Sequence, residues 1–193
     1  MEEARLEHVL TGLVPVTDGW FVVNARDAAW SRHDIFGLRC SFETSGPVAR
    51  SQEGIEQLTF DQVGVGLAVV QPGEPSTLYH AEAGQEDFLV LSGACVAVIE
   101  GEERLLGAWD FVHCPPGTFH SFVGAGDGPC VLLAVGARFG ERGIRYEPTP
   151  LAASVEEPTS SARDAYAPYG HWRNDGTSPL GRRSPTWTPG SFR

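Results

Sequence analysis

Residues 79–93, YHAEAGQEDFLVLSG, and residues 110–120, DFVHCPPGTFH, decide the reading of this chain. Each is a strand pattern punctuated by turn-forming residues, and together they space His80, Glu82, Glu86 and His120 as metal ligands on adjacent strands are spaced. His80 and Glu82 lie two residues apart, so on a strand both side chains leave the same face. Ala83 and Gly84 allow a turn, after which Glu86 can come back toward that face. His120 stands just past Pro115, Pro116 and Gly117, a triplet that forces a bend at the mouth of a strand. Two imidazoles and two carboxylates suit one divalent ion of borderline to hard character, namely Mn, Fe, Ni or Zn.

Outward from these segments the chain reads as short apolar runs broken by turn residues, the signal of an all-β sandwich or barrel. "VGVGLAVVQ" ends at Pro72 and Gly73; "EDFLVLSG" and "ACVAVIEG" predict a hairpin through Ser92 and Gly93; "TFHSFVG" and "CVLLAVGAR" complete the core. Too few helical windows separate the strands for a parallel sheet. Alternation from Glu86 turns Phe88 and Val90 inward, and alternation from His120 turns Phe122 inward. Val90 reads as core, whereas Phe88 and Phe122 are candidate walls of a substrate pocket. His113, on the strand before the Pro-Pro-Gly turn, reads as a surface residue or as one that orients a ligand carboxylate.

The two segments resemble the paired motifs of the cupin superfamily. The usual first motif runs His, one residue, His, three or four residues, Glu, six residues, Gly; His80, Glu82, Glu86 and Gly93 occupy those places, with Glu82 where a second His is common. The second motif opens with Gly-Asp and ends in Pro-x-Gly-x-x-His; Asp110, Pro115, Gly117 and His120 match it, and Trp109 replaces the opening Gly. The resemblance implies a single cupin jelly-roll β-barrel, with metal ligands at His80, Glu86 and His120. Glu82 is then a fourth ligand or a group that moves a proton beside the ion. Cupins include dioxygenases, decarboxylases and isomerases of sugars or keto acids, and many are homodimers.

Around a barrel over 59–140, residues 1–58 read as a short helix and additional strands packing on it. The helix rests on Leu6, Val9, Leu10 and Leu13 at helical spacing, with Gly12 as its stop. "GWFVVN" and "DIFGLRCSFE" read as strands, and residues 51–57 as a polar loop. Residues 141–193 form a Pro-rich extension, since seven of the fourteen prolines lie beyond Glu147. Tyr166, Tyr169 and Trp172 predict that part of this irregular tail docks rather than links.

A net charge of -11 repels phosphate backbones and anionic membranes, which argues against nucleic acid or membrane as partner. The acidic start MEEARLEHVL lacks the pattern of an export signal, so a cytoplasmic location is expected. Cys40, Cys95, Cys114 and Cys130 form no C-x-x-C pair and read as buried reduced thiols, Cys114 standing nearest the candidate site. These features predict one divalent ion and a small-molecule ligand. The expected activity is that of a metal-dependent enzyme on a small oxygenated or anionic metabolite, of dioxygenase or isomerase type. The alternative is a non-catalytic cupin that binds a small ligand or the metal itself.

Overall fold

The computed structural model describes residues 1–9, 11–44, 58–138, 143–147, 173–176 and 178–180. The expected polar loop over 51–57 and the expected docking of Tyr166, Tyr169 and Trp172 lie outside the described residues. Fourteen strands are described, and every regular element among the described residues is β. They are β1 (Leu6–Val9), β2 (Gly12–Pro15), β3 (Trp30–His33), β4 (Gly37–Ser41), β5 (Val63–Val70), β6 (His80–Glu82) and β7 (Glu86–Ser92). There follow β8 (Ala94–Ile99), β9 (Glu102–Gly107), β10 (Phe111–Cys114), β11 (His120–Ala125), β12 (Cys130–Ala137), β13 (Ile144–Tyr146) and β14 (Arg173–Gly176).

Two sheets carry the architecture. One has the order β10-β7-β12-β5-β4-β3-β14, the other β13-β6-β11-β8-β9. From β5 to β13 the chain crosses repeatedly between them, and the apolar face of each strand meets the other sheet. Ala68, Val70, Phe88, Val90, Val112 and Leu132 from the first sheet pack with Cys95, Ala97 and Phe122 from the second. The core is therefore the interlayer of a sandwich, filled by every second residue of each strand. A second cluster, Trp30, Leu38, Cys40, Leu67, Val69 and Val131, covers the opposite face of the seven-stranded sheet, which explains why its strands read as continuous apolar runs.

Four expectations are corrected. The barrel is not closed: β9 and β10, consecutive in sequence, end in different sheets and leave two edges rather than one seam. β7 and β8 are likewise not a hairpin, because the chain changes sheet at Gly93. That glycine has φ of +74°, and a Cβ there would lie 2.3 Å from the carbonyl oxygen of Pro129, so the crossing requires glycine. The true hairpin joins β8 to β9 through Glu100 and Gly101, both at positive φ as a two-residue turn demands.

The third correction is the N-terminal helix, which is a β1–β2 hairpin pairing Leu6 with Pro15 and Val9 with Gly12. So short a helix is marginal alone. The hairpin instead buries Val9 and Val14 against Ala29, while a bond from the N–H of Leu13 to the carbonyl of Asp27 (2.7 Å) ties it to the chain entering β3. "GWFVVN" forms no strand beyond an isolated bridge from Trp20 to Glu3, and Val22 remains exposed.

Candidate metal site

The site is built where three strand ends meet across the sandwich. His80 opens β6 and His120 opens β11, and the two face each other directly in the antiparallel register of one sheet. Glu86 opens β7 in the other sheet, opposite Gly136 on β12 and Cys114 on β10. The link Ala83–Gln85 carries the chain from one sheet to the other, so His80 and Glu86, six residues apart in sequence, approach from opposite walls. One ligand atom from each of His80, Glu86 and His120 lies within 4.8 Å of the other two.

The imidazoles are held with the same atom free. Nδ1 of His80 bonds the carbonyl of Leu78 at 2.7 Å, and Nδ1 of His120 bonds the carbonyl of Thr118 at 3.0 Å. A carbonyl can only accept, so each Nδ1 carries the proton and each neutral ring turns the lone pair of Nε2 inward. Nε2 of His120 is 3.1 Å from Oε2 of Glu86, and Nε2 of His80 is 4.0 Å from the same oxygen. Yet both His120 Nε2 and Glu86 Oε2 are buried without an aligned hydrogen-bond partner among the described residues. Buried polar atoms left this way cost about 1–3 kcal/mol each unless something else satisfies them. A cation among the three atoms would do so, and the donor set of two imidazole nitrogens and one carboxylate oxygen fits a divalent transition ion.

Electrostatics inside the site follow from burial and crowding. Burial, and next the charge of His120, hold the proton affinity of His80 below that of a free imidazole. Burial acts in the same direction on His120, but the thiol of Cys114 and the carboxylate of Glu86 outweigh it and raise its affinity.

Glu82 follows His80 on the same face of β6, opposite Ile144, but its carboxylate is not among the atoms that converge. Its backbone carbonyl accepts from the N–H of Gly117 at 2.8 Å, fastening β6 to the Pro-Pro-Gly turn that delivers His120. Burial first, and the nearby charge of Glu86 second, push its carboxyl up to about 7.

Phe88 and Phe122 lie beneath the imidazoles, with ring centroids 4.5 Å apart and the Phe88 ring 5.1 Å from that of His120. Both belong to the sandwich core, so they form a dry floor that fixes the His120 ring from below. Val90 lies deeper in the same cluster. His113 faces away: its Nδ1 is 2.6 Å from Oδ1 of Asp87 on the outer face, so it orients no residue of the triad. Trp109, at the turn where the family pattern has Gly, adopts φ of +76° and is 74% exposed.

Residues 66–136 match the family pattern described as the cupin domain. The chain carries a cupin domain. Several solved structures are similar to parts of the chain. A sugar phosphate isomerase of the cupin superfamily from Silicibacter pomeroyi is 30% identical, with 57% of this chain and 66% of that one covered and a TM-score of 0.44. A protein of Acidithiobacillus ferrooxidans provisionally assigned as a sugar phosphate isomerase is 26% identical over 56% of this chain and 65% of its own, also at 0.44. This chain thus spans a little under two thirds of the length of both. The polyketide cyclase of Streptomyces resistomycificus is 19% identical over 69% of this chain and 91% of its own, at 0.52, a likeness of fold. None of the curated proteins matches the sequence.

Two residues of the cupin interior were invisible to motif reasoning. Tyr146 on β13 stands opposite His80 in register, with its ring centroid 6.1 Å from the imidazole. Arg39 on β4, opposite Ala68 in register, bonds the carbonyl of Ser76 through Nη2 at 2.9 Å. The only sequence signal for Arg39 is a charge set alone in the strand GLRCS.

Proposed function

We propose that this cupin domain holds one divalent metal ion on His80, Glu86 and His120 and uses it to act on a small oxygenated or anionic metabolite. One observation carries the reading: three ligand atoms from two sheets converge within 4.8 Å. Both imidazoles are tautomerically locked to offer Nε2, and Nε2 of His120 and Oε2 of Glu86 have no aligned partner. Held on these groups, a divalent ion would supply Lewis-acid polarisation of a ligand's carbonyl or enolate oxygen.

The protein's own part is distinct. Backbone carbonyls of Leu78 and Thr118 orient the imidazoles, and Phe88 with Phe122 excludes water from beneath them. Glu82, on the His80 face of β6 but outside the ligand group, is the carboxyl we assign to move a proton to or from the ligand. Proton movement next to a polarised carbonyl is the requirement of an isomerase, and a redox-active ion in the same place would suit a dioxygenase instead.

The test is elemental analysis of purified protein after incubation with Mn, Fe, Ni or Zn. Close to one ion per chain is expected, lost in His120→Ala and held less tightly at low pH as the ligands protonate. A site empty in the supplemented wild type refutes the reading. Glu82→Gln should retain the ion and lose turnover, and oxygen uptake in a substrate screen separates dioxygenase from isomerase. Metal-replete protein that binds such ligands without turning any over belongs to the binding class instead.

A further inference from the structure

The two imidazoles of the site are not supported alike. The His120 ring rests on Phe88 in the core between the sheets. The His80 ring, with its centroid 4.8 Å from that of His120, adjoins a separate cluster of Phe36, Leu78, Ile35 and Tyr146. Leu78 links that cluster to the imidazole, because its carbonyl accepts from Nδ1 of His80 at 2.7 Å while its side chain packs with Phe36. Tyr146 faces His80 across the β6–β13 pair, so both side chains leave the same face, and its ring centroid lies 6.1 Å from the imidazole, within the range of aromatic contact.

Each member of the cluster is itself held. Phe36 is fully buried in the turn between β3 and β4, where Nδ1 of His33 accepts from the N–H of Ile35 at 3.1 Å and of Phe36 at 3.4 Å. Ahead of Leu78, the carbonyl of Thr77 accepts from Oγ of Ser121 at 2.9 Å. The N–H of Glu147 donates to the carbonyl of Tyr79 at 3.2 Å and fastens β13 beside His80. The outer torsion of a histidine side chain is soft, so one carbonyl bond sets the tautomer and leaves the plane of the ring to packing. Phe36 and Tyr146 both lie outside residues 66–136, the part that matches the cupin domain, one before it and one after. Two flanking segments of the chain therefore meet at one histidine of the site.

We propose that Tyr146, backed by Phe36, is a positioning residue that sets the plane of the His80 imidazole, so that the metal site of this chain is completed from outside the cupin motifs. The proposal rests on the metal reading above.

The experiment titrates the full chain with Co2+, reading affinity by calorimetry, ligand geometry by the visible absorption of the bound ion, and folding by urea denaturation. Tyr146→Ala should raise the cobalt Kd about 10-fold, the lower end of what losing a residue that orients a metal ligand costs, and should shift the visible bands. Tyr146→Phe should match the wild type in both, since the role belongs to the ring. Val14→Ala, in the separate cluster of the N-terminal hairpin, should lose stability and keep the affinity and spectrum of the wild type. Should Tyr146→Ala fail to fold, Tyr146→Leu decides: it keeps an apolar contact with Phe36 and Leu78 but removes the ring, and should shift the bands and weaken cobalt binding several-fold. Wild-type affinity and spectrum in the Ala or Leu variant that folds, the same loss in Tyr146→Phe, or an equal loss in Val14→Ala overturns the positioning role alone. Wild type that takes up no cobalt overturns the metal reading, and this proposal with it.

Discussion

Replacing Arg138 by Met tests whether the open end of the sandwich is held by charge. Arg138 follows β12, and its Nη1 donates to Oε2 of Glu43 at 2.6 Å and to the carbonyl of Phe60 at 3.3 Å. The Glu43 side chain is fully buried and that of Arg138 is 28% exposed. Arg138→Met takes from the buried Glu43 carboxylate its ion-pair partner at 2.6 Å, a loss that in buried pairs costs about 3–5 kcal/mol. The partial exposure of Arg138 places the expected loss at the lower end, about 3 kcal/mol, even though Met replaces much of the aliphatic stem. In urea denaturation, with a slope of about 2–3 kcal/mol/M for a chain of this size, the midpoint should fall by about 1–1.5 M at unchanged slope. Glu43→Gln with Arg138→Met should lose less than the two single variants summed, because the double variant removes both ends of the same pair. A midpoint within about 0.2 M of wild type, or strict additivity of the two changes, would refute the reasoning. The pair also ties the chain beyond β4 to the end of β12 beside Glu86.

Trp109→Gly should stabilise the protein, since a non-glycine residue at φ of +76° costs about 1–2 kcal/mol and a ring 74% exposed returns little; a melting temperature at or below wild type counts against this. Cys40 should resist thiol reagents in the folded protein, because burial pushes its thiol up to about 12 and leaves almost no thiolate; labelling at the rate of the urea-unfolded chain would contradict it. The folded value lies above the unfolded one, so the contribution of Cys40 to stability is complete below pH 9 and is lost as pH climbs toward 12; unfolding measured across that range should show the decline, and Cys40→Ala should flatten it. Glu86→Gln should abolish the thermal shift that metal gives the wild type. At a hundredfold excess over Kd that shift reflects about 2.7 kcal/mol, or roughly 5–10 °C for this length, and a variant that retains it removes Glu86 from the ligand set.

The strands around the motifs were legible because each is buried on at least one face, so alternation or a continuous apolar run survives in the residues themselves. Phe88, Val90 and Phe122 were placed inward by counting in twos from Glu86 and His120, and all three lie in the interlayer core. Counting failed where the periodicity is ambiguous. Leu6, Val9, Leu10 and Leu13 suit a helix by spacing, yet a hairpin that buries Val9 and Val14 against Ala29 wins through contacts distant in sequence. The Ser92–Gly93 turn has hairpin chemistry, and nothing local says that the strand after Gly93 joins the other sheet.

The sequence by itself determined the strand class and the residue types at the candidate site, because the Pro-Pro-Gly turn, the glycines and the strand phase are local properties of the backbone. Tertiary structure alone decided which of the four candidates converge. His80 and His120 oppose each other in one sheet and Glu86 reaches them from the other, while Glu82, in the same strand phase as His80, is left outside the group. It also decided that Arg39, more than forty residues before Glu82, enters the same interlayer. Strand phase says only which face a side chain leaves; how far apart two facing side chains end is set by sheet pairing and by the crossings between sheets, which are long-range facts.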